Sequence, residues 1–326
     1  MQIESKNINN ILVVRNDRFG EFLLNIPALR ALKKTFINSR IIAVVDPSVE
    51  GLAESIPFID EVIEWGRVKH TLPEKLGLLN LLRSKTIDIA IMLNPCKDFN
   101  IFTYLSGIPV RGGYDRKWGF LLTHKIKDEK YLGEKHEIEY NLELVSLFGA
   151  RTDDKSLSLT IDDRIINGLL KDAGIENYDN LVAIHPWTSD PMKQWPMENF
   201  QGLMRKLLKE PNLKLVVIGG PDELTRSTQL FGNLGRELIN LTGRTTLKQL
   251  AALLKKCKLL ISGDSGPVHL AACMETPVIA IFRSDMPQKC AVRWGSSSEG
   301  SIVVQKNNLA DISVEEVFEK VRLRIR

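Results

Sequence analysis

Long hydrophobic runs are missing from this sequence. The longest, such as Ile41–Val45 and Leu215–Ile218, fall far short of the roughly 20 apolar residues a membrane helix needs. Cysteine is scarce as well. Cys96, Cys257, Cys273 and Cys290 show no CxxC spacing, which argues against a zinc knuckle or disulfide framework and for a reducing compartment. Charge of one sign is also lacking: Lys and Arg total 44 against 40 Asp and Glu, leaving +4. That is too little to coat nucleic acid, so no nucleic-acid partner is expected. The opening Met-Gln-Ile-Glu-Ser-Lys-Asn carries no basic segment followed by an apolar stretch, so no secretory leader is expected and the reading is cytoplasmic. No GxGxxG follows any strand-like run, and no GxxxxGK[ST] occurs. Hydride transfer and P-loop chemistry are therefore disfavoured.

What is present is an ordinary globular composition, 44% hydrophobic and 26% charged over 326 residues. At roughly 100–200 residues per domain, that length favours two domains. Short β-branched runs alternate with amphipathic stretches. Ile11–Val14, Ile41–Val45, Val62–Glu64 and Ile87–Met92 read as strands, with helices over 73–84 and 138–149. The pattern then restarts. Leu181–His185, Leu213–Ile218, Leu259–Ser262 and Pro277–Phe282 read as strands among helices at Met197–Lys209, Pro221–Leu234, Leu247–Lys256 and Gly266–Met274. Such alternation implies right-handed crossovers and parallel sheets. The expected fold class is α/β, with two doubly wound, Rossmann-like domains facing one another and ligands at the carboxyl ends of the strands. The boundaries expected are 1–160 and 161–312, with residues 313–326 as a terminal helix crossing back to the first domain. Asp153–Ser156 and Asp172–Asn180 are the polar stretches where a linker would fit.

The strongest local signal is Ser262-Gly263-Asp264-Ser265-Gly266-Pro267-Val268-His269. A buried strand ends there in a glycine-bracketed polar turn, and a small-residue helix follows at once. Amides at a helix start, backed by the positive end of the dipole, suit a phosphate. A capped helix start with no ligand is an equally good reading of the same residues. His269, one turn in, is a core histidine as readily as a ligand. Lys193, with Thr188 and Ser189 on the loop after Leu181–His185, reads as a diphosphate ligand or as a solvated loop lysine. Glu223, after Gly219-Gly220-Pro221, reads as a ribose ligand or as a first-turn helix charge. Glu21, following Gly20 at the end of the first strand, carries the same ambiguity.

The pattern Arg15-x-Asp17-Arg18-x-Gly20-Glu21-x-x-Leu24-x-x-Pro27-Ala28-Leu29 resembles the opening of the glycosyltransferase family 9 heptosyltransferases. So do His136-x-x-x-x-Asn141-Leu142, Lys193-x-Trp195-Pro196, Gly219-Gly220-Pro221-x-Glu223 and Gly263-Asp264-Ser265-Gly266-Pro267-x-His269-Leu270, in the family's order. The resemblance implies a GT-B fold with a nucleotide-sugar, usually ADP-heptose, on the second domain. The acceptor, usually the lipopolysaccharide inner core, would sit on the first. It implies that Thr188, Lys193, Glu223, Asp264, Ser265, Gly266 and His269 line the donor nucleotide site. It also puts Glu21 where the family typically has an aspartate proposed as general base. An acceptor hydroxyl is a poor nucleophile at neutral pH, so a carboxylate must take its proton as attack proceeds. In-line displacement would invert the anomeric centre. The sequence holds no DxD-type carboxylate pair like that of metal-dependent sugar transfer, so neither a metal nor a cofactor is expected.

For the acceptor, an anionic lipid-linked saccharide, the expected contacts are Arg18, Arg67 and Arg116. Arg116 lies in the basic run Arg111, Arg116, Lys117, Lys125, Lys127 and Lys130. Such a run is otherwise a solvated face. Trp118 and Phe120 beside it suggest transient contact with a membrane surface. Two other readings stay open: a family relative using another nucleotide-sugar, and a nucleotide-binding protein without turnover, to which the glutamate at position 21 lends its support.

Overall fold

A computed structural model describes residues 8–175, 180–232, 234–235 and 238–325. The opening residues that bear on a leader, and the middle of the polar stretch Asp172–Asn180, lie outside them. The chain divides into two units, Met1–Thr160 and Ile161–Arg326.

The first unit is a parallel sheet of six strands: β1 (Asn10–Val14), β2 (Arg40–Val45), β3 (Glu61–Glu64), β4 (Ile89–Met92), β5 (Val110–Tyr114) and β6 (His124–Ile126). Its order is β3-β2-β1-β4-β5-β6. Apart from Asn10 at the start of β1, the central strands β1 and β4 are Val, Ile, Leu, Ala and Met and are buried, as expected where helices cover both faces of a parallel sheet. The second unit contains β7 (Leu181–His185), β8 (Lys214–Val217), β9 (Leu238–Asn240), β10 (Leu259–Gly263), β11 (Val278–Arg283) and β12 (Ile302–Lys306). It runs β12-β11-β10-β7-β8-β9. Numbered within its own unit, each sheet therefore has the order 3-2-1-4-5-6, and the direction of winding reverses between its first and fourth strands. Ligands of open parallel sheets bind beyond the carboxyl ends of the strands at that reversal. Here those ends are Val14 and Met92 in one unit, and His185 and Gly263 in the other.

Several elements escaped the sequence reading. The expected helix over Pro221–Leu234 is a turn, Pro221–Glu223, followed by a helix at Leu224–Phe231. Helix Lys97–Leu105 and strands β5, β6, β9 and β12 were not anticipated. β5 carries Gly112 and Gly113, and β6 and β9 are only three residues long, so periodicity had little to register.

The terminal helix, Val314–Ile325, expected to cross back to the first domain, falls within the second unit. Val317, Phe318 and Val321 are buried in the second unit's core beside Leu203, Met204 and Leu207 of helix Met197–Leu207. Its apolar face finds its partners at home, and Lys258 donates to the Ile325 carbonyl (2.8 Å). The residues just before it do structural work as well, because the Ile312 carbonyl accepts from the buried Trp195 indole (3.0 Å).

Candidate functional site

In the second unit the loop after β7 is tied down from below. Trp195 packs edge-on against Phe200 (centroids 4.8 Å apart) and is fully buried, which leaves Lys193, two residues earlier, at the protein surface of the loop. The Lys193 ammonium lies 2.5 Å from the Asp264 carboxylate just beyond β10. Burial raises the Asp264 carboxyl above its ordinary range, against the opposing pull of Lys193. Thr188 is spent locally, its hydroxyl accepting from the Asp190 amide (3.3 Å).

Helix Gly266–Cys273 starts directly after this turn. Its N-cap is Ser265 rather than Asp264, and no side chain caps its first amides. Pro267 in the first turn has no N–H to satisfy. The Ser265 hydroxyl turns inward instead, 2.8 Å from Ser262 Oγ and 3.1 Å from His185 Nδ1. Burial pushes the His185 pKa down to about 4, so this ring is neutral at physiological pH. Nothing local in the sequence ties this strand-end histidine to Ser265, 80 positions away. Gly266 is half-buried at the helix start, and His269 is buried with its ring 6.3 Å from that of Trp294. Glu223 is half-buried at the head of helix Leu224–Phe231. Its carboxylate lies over Gly220, where a Cβ would come within 2.9 Å of it. Gly219 is required for another reason: a Cβ there would meet the Trp187 indole nitrogen at 2.5 Å.

The loop after β11 adds charges that sequence reasoning missed. Lys289 pairs with Asp190 (2.6 Å) and Arg283 with Asp285 (2.6 Å). Arg283 also donates to the Met192 carbonyl (3.2 Å). The available signal was the Arg283-x-Asp285 spacing at a strand end.

In the first unit, charge is buried at the matching place. Arg15, Asp17 and Glu137 are almost fully enclosed. Arg15 donates through Nε to Asp17 (2.8 Å), and through Nη1 to Glu137 (3.1 Å) and the Leu93 carbonyl (3.1 Å). Lys130 also reaches Glu137 (2.6 Å). Glu21 sits in the five-residue helix Phe19–Leu23, half-buried. Burial, then the Asp17 charge, raises its carboxyl above the ordinary range, with Arg15 and Arg18 pulling the other way. Asn25 donates to the Glu21 and Phe22 carbonyls (3.1 and 2.8 Å) and closes the short helix. Pro27 then starts the next helix rather than kinking it. Asn141, buried, donates to the Leu24 carbonyl (3.2 Å), so helix Glu137–Ser146 holds this corner from two points.

Beside the corner is a cavity of about 720 Å³, lined among others by Trp65, Arg67, His70, Lys97, Lys117 and Trp118. Trp65 and His70 are stacked (3.6 Å), and Lys97 lies over the Trp118 ring (4.4 Å). Arg67 reaches 3.9 Å from Asp17 and so links cavity and corner. Lys117 and Trp118 adopt left-handed backbone angles (φ 48° and 69°), a strained turn held by Asn100, which donates to the Lys117 carbonyl (2.9 Å). Two lining side-chain oxygens, Asn16 Oδ1 and Asn94 Oδ1, are buried without a hydrogen-bond partner among the described residues.

The basic run divides. Lys117 lines the cavity, whereas Arg116 does not and pairs with Asp128 (2.9 Å). Lys130 is internal, Lys127 pairs with Glu129, and Arg111 donates to the Leu121 carbonyl and lies over Tyr104. Arg18 is exposed.

The model of glycosyltransferase family 9 (heptosyltransferase) matches residues 76–322. The chain belongs to this family. The matched stretch contains the whole of the second-unit site; the Asp17–Glu21 corner precedes it. A Haemophilus influenzae protein named at the level of glycosyltransferase is 26% identical, covering 98% of this chain and 97% of its own. Among solved structures, a family 9 glycosyl transferase from Veillonella parvula superposes with a TM-score of 0.86 at 22% identity, over 100% and 99% of the two chains. The E. coli ADP-heptose lps heptosyltransferase II gives 0.83 at 19%, over 97% and 98%. The fold is GT-B and the protein is a glycosyltransferase.

Among the described residues no helix is long and apolar enough to cross a membrane.

Proposed function

We propose that this glycosyltransferase moves a heptose from an ADP-heptose donor to an anionic, lipid-linked saccharide of the lipopolysaccharide core type, with inversion. The observation that carries the reading is the pairing of Lys193 with Asp264 before an uncapped helix start, at the winding reversal of the second sheet. A leaving diphosphate gathers negative charge. A lysine and helix amides already in position stabilise it without reorganising. Thr188, Glu223, Ser265, Gly266 and His269 complete the donor site in this reading, and no divalent metal takes part. Glu21 takes the proton of the acceptor hydroxyl as its oxygen bonds to the anomeric carbon and the bond to the diphosphate breaks. The acceptor saccharide occupies the cavity beside Glu21, its acidic groups against Arg67 and Lys117 and its rings against Trp65 and Trp118. The protein works in the cytoplasm, with exposed Trp118 and Phe120 touching the inner face of the membrane.

A second reading is a family 9 transferase with another nucleotide-sugar. It is favoured by the broad name of the H. influenzae relative. Thermal-shift ranking of ADP, UDP and GDP separates the two, with ADP expected to stabilise most. Transfer from ADP-heptose, persisting in EDTA, is the decisive assay. Glu21→Gln is expected to cut turnover by about 100-fold or more while ADP binding is kept. Near-full turnover in that variant removes Glu21 from the mechanism.

A further inference from the structure

The loop after β7, which carries Lys193, is braced from the side by the loop after β11. Lys193 is the last residue of the short turn Pro191–Lys193. Asp190 caps that turn, its Oδ1 accepting from the Met192 amide (3.0 Å), and its carbonyl accepts from the Lys193 amide (2.9 Å). The other carboxylate oxygen, Oδ2, accepts from the Lys289 ammonium (2.6 Å). That hydrogen bond holds the Asp190 carboxyl below its ordinary range, so it is ionised at neutral pH. Lys289 is presented by a turn of its own, Pro287–Lys289, whose Gln288 carbonyl accepts from the Trp294 indole (2.8 Å). Arg283, at the end of β11, adds a second brace by donating to the Met192 carbonyl (3.2 Å), while Asp285 accepts from its Nε (2.9 Å) and Nη2 (2.6 Å). Charge is balanced across the cluster: Lys193 with Asp264, Lys289 with Asp190, and Arg283 with Asp285. Without Lys289 one negative charge is left over, on the residue that caps the Lys193 turn. That charge opposes an incoming diphosphate and offers the Lys193 ammonium a second carboxylate.

We infer that Lys289 is a positioning residue for the donor diphosphate: it neutralises Asp190, so that the turn carrying Lys193 presents its cation with no unpaired carboxylate beside it. Lys289 acts through Asp190, whose two oxygens are thereby both committed, one to the turn it caps and one to the β11 loop. Lys193 pairs instead with Asp264 (2.5 Å), next to the helix start that the phosphates would meet. The same ion pair joins the loops that follow β7 and β11, the two strands flanking β10. The turn beyond β10 is in this way held from both sides. The inference rests on the proposed donor site, and its test separates the failure of one from the failure of the other.

That test is calorimetric titration of the full chain with ADP and, separately, with adenosine, which carries no phosphate. Lys289→Met is expected to weaken ADP binding by roughly 3- to 5-fold and to leave adenosine binding unmoved. Lys289→Arg keeps the charge and is expected to bind ADP as the unsubstituted protein does. In the double variant Asp190→Asn with Lys289→Met, the amide oxygen still caps the turn and the opposing charge is gone. Its ADP affinity is expected to return to within about twofold of the starting value. Unchanged ADP affinity in Lys289→Met overturns the inference. An undiminished loss in the double variant also overturns it, because Lys289 would then act on the phosphates without Asp190. An equal loss of adenosine affinity assigns Lys289 a purely structural part, with the same result. Lys193→Met is measured beside them. If that variant too keeps full ADP affinity, the donor reading falls and the inference with it. A loss in Lys193→Met with none in Lys289→Met leaves the donor site standing and removes Lys289 from it.

Discussion

Two sheets with the same strand order carry different chemistry at the same topological position. Beyond β1 and β4 the first unit buries full charges: Arg15 between Asp17 and Glu137, with Lys130 behind. Beyond β7 and β10 the second unit buries a single carboxylate, Asp264, beside the His185 ring and the hydroxyls of Ser262 and Ser265, and sets Lys193, Asp190 and Lys289 closer to solvent. On the proposed function the difference follows from what each place would hold. A proton acceptor gains affinity when water is excluded and a like charge stands by. An anion site needs donors that point outward, and the one buried carboxylate behind this one, Asp264, is paired with Lys193. Topology supplies the position, and the residues after each strand end supply the function.

The largest effect expected in the second unit comes from Lys193→Met. A hydrogen bond to a charged group is worth about 1.5–3 kcal/mol, so ADP affinity, measured calorimetrically, is expected to fall by roughly 10- to 100-fold. The Glu21 carboxyl should titrate as before. If the loss of Lys193 leaves ADP affinity unchanged, the contrast between a proton-handling unit and an anion-holding unit fails on its second half.

How much of this was legible can be seen at the two lysines of the second unit. Lys193 was marked in the sequence because the Trp195-Pro196 that follows is a recognisable pattern, and the buried indole explains why the spacing matters. Lys289 lies 99 positions from the Asp190 it meets, and nothing local announces such a pair. Asp17 belongs to the Arg15-x-Asp17-Arg18 pattern, but only folding shows that it is enclosed with Arg15. The terminal helix shows a similar limit: its amphipathic pattern says that one face is buried, not that Leu203, Met204 and Leu207 cover it. Cavity-lining His70 and Lys117 come from two separate loops and Lys97 from the start of helix Lys97–Leu105, brought together only by the parallel order of the first sheet.

A middle-sized effect sharpens the contrast through pH. The folded His185 pKa is near 4, below the ordinary 6.5, so between those values the unfolded chain binds the proton that the folded chain refuses. The stability tied to its neutrality is present above about pH 6.5 and is lost as pH falls towards 4. With the ring partly open to solvent, about 2 kcal/mol is the expected size. Urea unfolding at pH 7 and pH 5, compared with His185→Asn, isolates it from the other four histidines. Equal pH dependence in the two proteins would show that the hydroxyl cluster does not depend on a neutral ring.

The smallest effect separates neighbours in the first unit. Arg116 is half exposed and tied to Asp128, whereas Lys117 and Arg67 line the cavity. The Arg116 end of the pair is open to solvent, where ion pairs contribute about 0.2–1 kcal/mol, and the buried Asp128 carboxylate keeps a second donor in the Lys130 amide (3.3 Å). Arg116→Ala is therefore expected to lower stability by less than about 1 kcal/mol and to leave the acceptor KM unchanged. Lys117→Ala and Arg67→Ala, by removing cations that face an acidic saccharide, should each raise it several-fold with the donor KM unmoved. The Arg67 change should also lower kcat, because Arg67 stands against Asp17 and Lys117 does not. An acceptor KM that follows Arg116 rather than Lys117 would move the acceptor out of the cavity and onto the outer basic face.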